Sequence, residues 1–340
     1  MSTIDSLLLK SAKLADRKYL KGDKIVQQGR TSRSLKILAD GSADVSVDGK
    51  SVCMIMTKGA VFGEVSALLD TPAKATVTAL ETCYVHYAPD LPAIFLSHPE
   101  ASWELARFLA RRLVDTNKLI VNLKKSYQSL DQSLHDTIGD EDSFKKLKLK
   151  WAEAENLYLK HQNNQAIEDD TSGKLSSHVI PAGTVLMEEG KQTGKIWVLR
   201  RGSLDIVING VKVGRLQEKG ALVGEISALL DLPHSASVVT AEPSDIVVVE
   251  QVKGFFQSHP AASLQMARLL ARRMSVTNEY FVNLREHFEE LNKLLNESAL
   301  RNPAKKGATN ILAKKATETY TNAAQHINMA VFGGMLHPVG

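Results

Sequence analysis

The chain repeats itself. Gly63-Glu64-Val65-Ser66-Ala67-Leu68-Leu69-Asp70 returns as Gly224-Glu225-Ile226-Ser227-Ala228-Leu229-Leu230-Asp231. Ser97-His98-Pro99 returns as Ser258-His259-Pro260, and Ala110-Arg111-Arg112 as Ala271-Arg272-Arg273. Each pair is 161 residues apart, as are Gly22/Gly183, Gly29/Gly190, Gly41/Gly202 and Gly49/Gly210. The register runs without a gap from about Gly22 to Leu123. That period is far beyond the roughly 20–50 residues of a solenoid unit. It marks a duplicated domain, so the fold must be two copies of one smaller fold.

Length agrees, since 340 residues suit two domains rather than one. A hydrophobic content of 44% is enough for real cores, and with 24% charged residues it excludes wholesale disorder. The net charge of +4 is too mild to imply nucleic acid or an anionic membrane. The excess sits in the basic tail, where Arg301, Lys305, Lys306, Lys314 and Lys315 face only Glu318. Two cysteines, Cys53 and Cys83, make no disulfide scaffold and no C-x-x-C motif, and both are read as core residues. The run Leu7-Leu8-Leu9 behind Asp5 is too short for a signal segment. No apolar stretch approaches the roughly 18 residues of a membrane helix. The expectation is a soluble, cytoplasmic protein with no membrane partner.

Each copy opens with β structure. Alternating runs such as Leu35 to Val47 and Thr76 to Tyr87, and their counterparts Lys195 to Ile208 and Ala236 to Val249, are punctuated by glycine turns. Each copy closes with helix, for which Pro99 and Pro260 suit the first position. The predicted class is α+β: two β-roll (double-stranded jelly-roll) domains, each followed by a long coiled-coil-type helix. The domains are expected at 1–137 and 178–299, with a helical linker at 138–177 and a tail at 300–340. Within the linker, Ile138 to Asp142 reads as a break and Ser143 to His161 as a helix. Ile167 to Ser177 and the last residues, Phe332 to Gly340, read as polar linker and coil.

The long helices carry heptads. With Leu113 at position a, the a positions are Leu113, Ile120, Tyr127 and Leu134, and the d positions Thr116, Leu123, Leu130 and Thr137. In the second copy they are Met274, Phe281, Phe288, Leu295 and Thr277, Leu284, Leu291, Ser298. A stripe this narrow predicts a helix–helix seam. Pairing within one chain, as a pseudo-dimer, and pairing between chains both fit, and association between chains is the expectation.

The runs Gly63 to Val77 and Gly224 to Val238, with the helical stretches Ala110 to Leu123 and Ala271 to Leu284, resemble the cyclic-nucleotide-binding domain. That family includes catabolite activator proteins and the regulatory subunits of cyclic-AMP-dependent kinase. The resemblance covers roughly 22–137 and 183–298. It implies a phosphate-binding cassette at Gly63, Glu64, Val65, Ser66 and at Gly224, Glu225, Ile226, Ser227. Backbone N–H groups of such a turn suit a cyclic phosphate. The role of accepting a ribose hydroxyl would fall on Glu64 and Glu225, and that of meeting the base on Thr116 and Thr277. Asn117 and Asn278 hold the position from which the family's partner subunit supplies a polar contact. The residues alone leave other readings open: a capping acid at Glu64 and Glu225, a small seam residue at Thr116 and Thr277. His98 and His259 read as helix capping, and the arginine pairs as solvated or ion-paired faces.

The chain departs from the family pattern at one place. The Arg that pairs with the phosphate is replaced by Ala73 in the first copy and His234 in the second. Losing a charge-assisted contact of roughly 2–4 kcal/mol weakens binding some 30- to 1,000-fold. Lys74 is expected to point away, whereas His234 and Ser235 offer two potential donors, so the second site is expected to outrank the first. Its binding is expected to strengthen as His234 protonates.

No H-E-x-x-H pair, G-x-S-x-G elbow or Walker loop marks an enzyme or a cofactor site. The expected function is a non-enzymatic regulatory protein with two sensor domains and no DNA-binding output domain. The alternative is a structural scaffold of degenerate domains acting through its coiled coils and tail. The expected ligand is a cyclic nucleotide or related phosphate. The expected partners are a second copy through the seam helices and a separate protein, with nucleic acid not expected.

Overall fold

The computed structural model describes residues 14–138, 142–163 and 176–301, and residues 307, 310, 311, 314 and 318. The tail beyond 301 is therefore almost wholly outside the described residues. So are residues 139–141 of the expected break, most of the linker at 167–177, and the side chain of Cys53.

The first half runs β1 (Ala15–Tyr19), β2 (Lys24–Val26), β3 (Leu35–Asp40), β4 (Ala43–Val47), β5 (Lys50–Ile55) and β6 (Val61–Phe62). It continues through α1 (Glu64–Leu69), β7 (Thr76–Ala79), β8 (Cys83–Ala88), α2 (Leu91–Ser97) and α3 (Pro99–Ile138). A linker helix, α4 (Asp142–Asn163), follows. The second half repeats the order as β9 (Ser177–Ile180), β10 (Val185–Met187), β11 (Ile196–Arg201), β12 (Leu204–Ile208), β13 (Val211–Leu216) and β14 (Leu222–Val223). Then come α5 (Glu225–Leu230), β15 (Ser237–Thr240), β16 (Ser244–Val249), α6 (Val252–Ser258) and α7 (Pro260–Arg301).

Each half folds its strands into two antiparallel four-stranded sheets, β1-β8-β3-β6 with β2-β7-β4-β5, and β9-β16-β11-β14 with β10-β15-β12-β13. The duplication extends to detail. Leu38 pairs with Val85 and Leu199 with Ile246, and the register slips at the same place, between Leu38 and Asp40 and between Leu199 and Arg201. Leu38, Val45, Phe62 and Val85 fill one roll, and Leu199, Leu204, Val223 and Ile246 fill the other. Cys83 is buried in the first of these cores, as expected.

The two halves are not beads on a string. One hydrophobic core joins Leu35, Leu105 and Leu109 of the first half to Val247, Leu269 and Leu270 of the second. At about 25 cal/mol per Å² of apolar surface, fully buried leucines such as these make the contact a folding interface. The seam heptads close within one chain. Ile120, Leu123 and Tyr127 of α3 are buried in one cluster with Phe281, Leu284, Phe288, Leu291 and Leu295 of α7. Over its described residues the first stripe is covered by the chain's own second half, which is the pairing within one chain that the heptads left open. The linker helix adds a third layer, with Phe144 and Leu147 buried in the same cluster.

Candidate functional site

The cassette turns are shaped by backbone strain that glycine removes. Gly63 and Gly224 begin α1 and α5 in the left-handed region, at φ 81° and 87°. A Cβ on Gly63 would lie 3.0 Å from the Ser34 carbonyl oxygen, and one on Gly224 would lie 2.7 Å from that of Lys195. Each helix ends at a left-handed aspartate, Asp70 or Asp231. The Ser66 hydroxyl donates to the Thr71 carbonyl at 2.5 Å, and Ser227 does the same to Leu232. These hydroxyl protons therefore brace the turn, and the expected phosphate contact of the cassettes, through backbone N–H groups, does not involve them.

A cavity of about 320 Å³ opens at the first cassette. Its floor is apolar, from Val26, Val45, Val61 and Val77, and one wall is Gly63, Glu64, Val65 and Ser66. The turn Thr71 to Ala75 closes another side, and Lys74, expected to face away, is among its lining residues. The remaining wall comes from the other half of the chain: Ser275, Asn278, Glu279 and Val282 of α7. Asn278 therefore lines the same cavity as the first cassette.

The polar groups of the two halves differ. Thr116 is fully buried, and among the described residues neither its Oγ1 nor the buried Asn278 Oδ1 has a hydrogen-bond partner. In the other half, the Thr277 hydroxyl donates to the Arg273 carbonyl at 2.8 Å. Asn117 Oδ1 accepts the Tyr158 hydroxyl at 2.9 Å. Glu64 and Glu225 are buried and ion-paired, to Arg112 and Arg273 respectively. The arginine pairs thus divide: the second member of each reaches into its cassette, as the ion-paired reading expected.

His234 packs among residues of its own half. It is buried, its Nε2 lies 2.9 Å from the Thr193 hydroxyl, and its ring packs edge-on against Trp197. Burial lowers its pKa below the usual histidine value, so the ring is neutral at pH 7. Its backbone N–H donates to Lys191. Ser235 beside it is exposed. Burial works against the protonated form on which the expected pH dependence of the second site rests. Ile226 packs into the shared core.

One cation went unnoticed in the sequence. Lys36 is 6% exposed, with its ammonium donating to Ser34 Oγ at 2.7 Å and lying 3.7 Å from where a Gly63 Cβ would be. Burial and the nearby Arg17 lower its pKa to about 8. Alternation along β3 placed it inside the roll, but the matching position in the second half is Trp197, so no repeat signal marked it.

Comparisons with known proteins identify the domains. The family model of the cyclic nucleotide-binding domain matches twice, at residues 16–90 and 177–257. The chain therefore carries two cyclic nucleotide-binding domains in tandem. Over 67 residues, 20% of the chain, it is 48% identical to a cyclic-AMP-dependent protein kinase regulatory subunit of Debaryomyces hansenii, covering 15% of that protein. The regulatory subunit of Eremothecium gossypii is 23% identical over 69% of the chain and 42% of its own length. The chain spans less than half the length of these curated relatives. Among solved structures, the regulatory subunit of a cyclic-AMP-independent protein kinase A from Trypanosoma brucei matches at 20% identity, with 69% of this chain and 72% of that one covered and a TM-score of 0.27. No helix among the described residues is long and apolar enough to cross a membrane.

Proposed function

We propose that the chain is a non-enzymatic regulatory protein that senses a nucleotide-like ligand in the first cavity and acts on a separate protein. The observation that carries this reading is the composite cavity: the cassette comes from the first half, and the facing wall, with Asn278, from α7 of the second. A ligand there touches both halves at once, so binding is linked to how α3 and α7 pack. A base in this cavity would meet Asn278, whose side-chain amide can both donate and accept.

Ala73 stands where the family places its phosphate-pairing Arg, so a cyclic phosphate meets the backbone turn and Lys74 instead of a guanidinium fork. In this reading the affinity is moderate and the base contacts carry more of the selectivity. In the second half the observations favour the scaffold alternative, because Asn117 and Thr277 are engaged by the chain's own groups. Titration calorimetry with cyclic AMP, cyclic GMP and adenosine tests the reading. Saturable binding that Asn278→Ala weakens by about five- to thirtyfold supports it. Absence of binding at millimolar ligand refutes it.

A further inference from the structure

We infer that Tyr158 of the linker helix is a resident occupant of the second domain's ligand position, leaving one ligand site per chain, in the first cavity. The claim of a ligand in that first cavity rests on the function proposed above; the occupancy by Tyr158 does not.

The duplication supplies the argument. Asn278 lines the first cavity, and the residue 161 positions earlier is Asn117. By the pseudo-symmetry of the two halves, Asn117 is the amide that faces the second cassette. Asn278 Oδ1 is unmet, whereas Asn117 Oδ1 holds the Tyr158 hydroxyl at 2.9 Å. The Tyr158 ring stacks on Tyr280, with centroids 4.4 Å apart and planes 16° from parallel. A flat ring stacked on an aromatic side chain, with a hydrogen-bond donor at its tip aimed at an amide oxygen, is the chemistry a nucleobase would bring. The second Thr needs no ligand either, because Thr277 bonds the Arg273 carbonyl while Thr116 bonds nothing.

The helix that delivers Tyr158 is firmly seated. Phe144 and Leu147 are buried against α7, Trp151 stacks on Tyr127 at 4.3 Å, and Lys124 and Lys150 pair with Glu155 and Glu290. It also reaches strand β13 of the second roll. A free ligand would have to displace this whole packed helix.

Hydrogen exchange of the full chain tests the inference without requiring any ligand. In Tyr158→Ala, exchange of the second cassette helix Glu225–Leu230 should rise about tenfold or more, while that of the first, Glu64–Leu69, stays unchanged. Tyr158→Phe, which keeps the stacked ring and loses only the donor, should fall between and guards against a misfolded Ala variant. Unchanged exchange in the second cassette, or an equal rise in both, overturns the inference. Titration with cyclic AMP adds an independent reading: one site in the wild type and two in Tyr158→Ala support it, and two in the wild type overturn it. If no cyclic AMP binds to either protein while the exchange remains asymmetric, the proposed function fails and the role of Tyr158 stands.

Discussion

Arg268, on the long helix of the second half, donates its Nε to the carbonyl of Leu68 at 3.1 Å, at the end of the first cassette helix. Its repeat counterpart Arg107 does the same to Leu229 at 3.0 Å. Each long helix therefore grips the carboxyl end of the opposite cassette helix, where unpaired carbonyls and the helix dipole favour a cation. A cassette that shifts on binding must move this grip. Arg268→Ala should cost about 1–2 kcal/mol in denaturant unfolding, with Arg107→Ala similar. In the double variant, ligand-induced change in the second half should disappear, as read by hydrogen exchange.

The pair Glu64–Arg112 is buried on both sides. Removing one partner leaves an uncompensated charge, so Arg112→Met should destabilise the chain by about 3–5 kcal/mol. Glu64→Gln combined with Arg112→Met should recover most of that loss. Urea melts of the two single variants and the double variant check it. Equal loss in the single and double variants would show that packing, not charge, governs the site.

Lys36 makes a pH prediction. Its pKa falls from 10.5 in an open chain to about 8 when folded. The folded state therefore binds this proton less tightly than the unfolded state. Stability from this group is fully present above pH 10.5 and is lost as pH falls through 8, by up to about 3 kcal/mol. Lys36→Met should raise stability at pH 7 and flatten the rise seen in the wild type between pH 8 and 10. Denaturation midpoints across that range decide it.

His287 acts at the acid end. It is buried between Tyr127, Trp151 and Phe288, neither ring nitrogen has a partner among the described residues, and its pKa is lowered to about 4, mainly by burial and then by Lys150. Its neutral form suits the fold, so stability is whole above pH 6.5 and erodes as pH falls towards 4. Trp151 fluorescence should report loosening of α4 in that window. His287→Phe should shift the loss to lower pH.

The duplication, the two rolls, the cassette turns and the seam stripe could be read from the chain because each is a local pattern repeated in phase. The glycines at Gly63 and Gly224 announced their turns, and the positions Ile120, Phe281 and Phe288 their seam. What escaped were contacts between distant segments. Glu64 meets Arg112, 48 residues on, and His234 meets Thr193, 41 residues back. Heptads alone do not say whether a stripe closes on its own chain, which decided the seam. Nor did the helix at Asp142–Asn163 reveal where it docks: its place depends on Asn117 and Tyr280, on two other helices.

Calorimetric titration of the full chain with cyclic AMP, repeated on Asn278→Ala, tests the central claim of a composite site most directly. One saturable site per chain is expected, weakened by about five- to thirtyfold when the α7 amide is removed. Binding that ignores Asn278→Ala, or no heat at millimolar ligand, would contradict it.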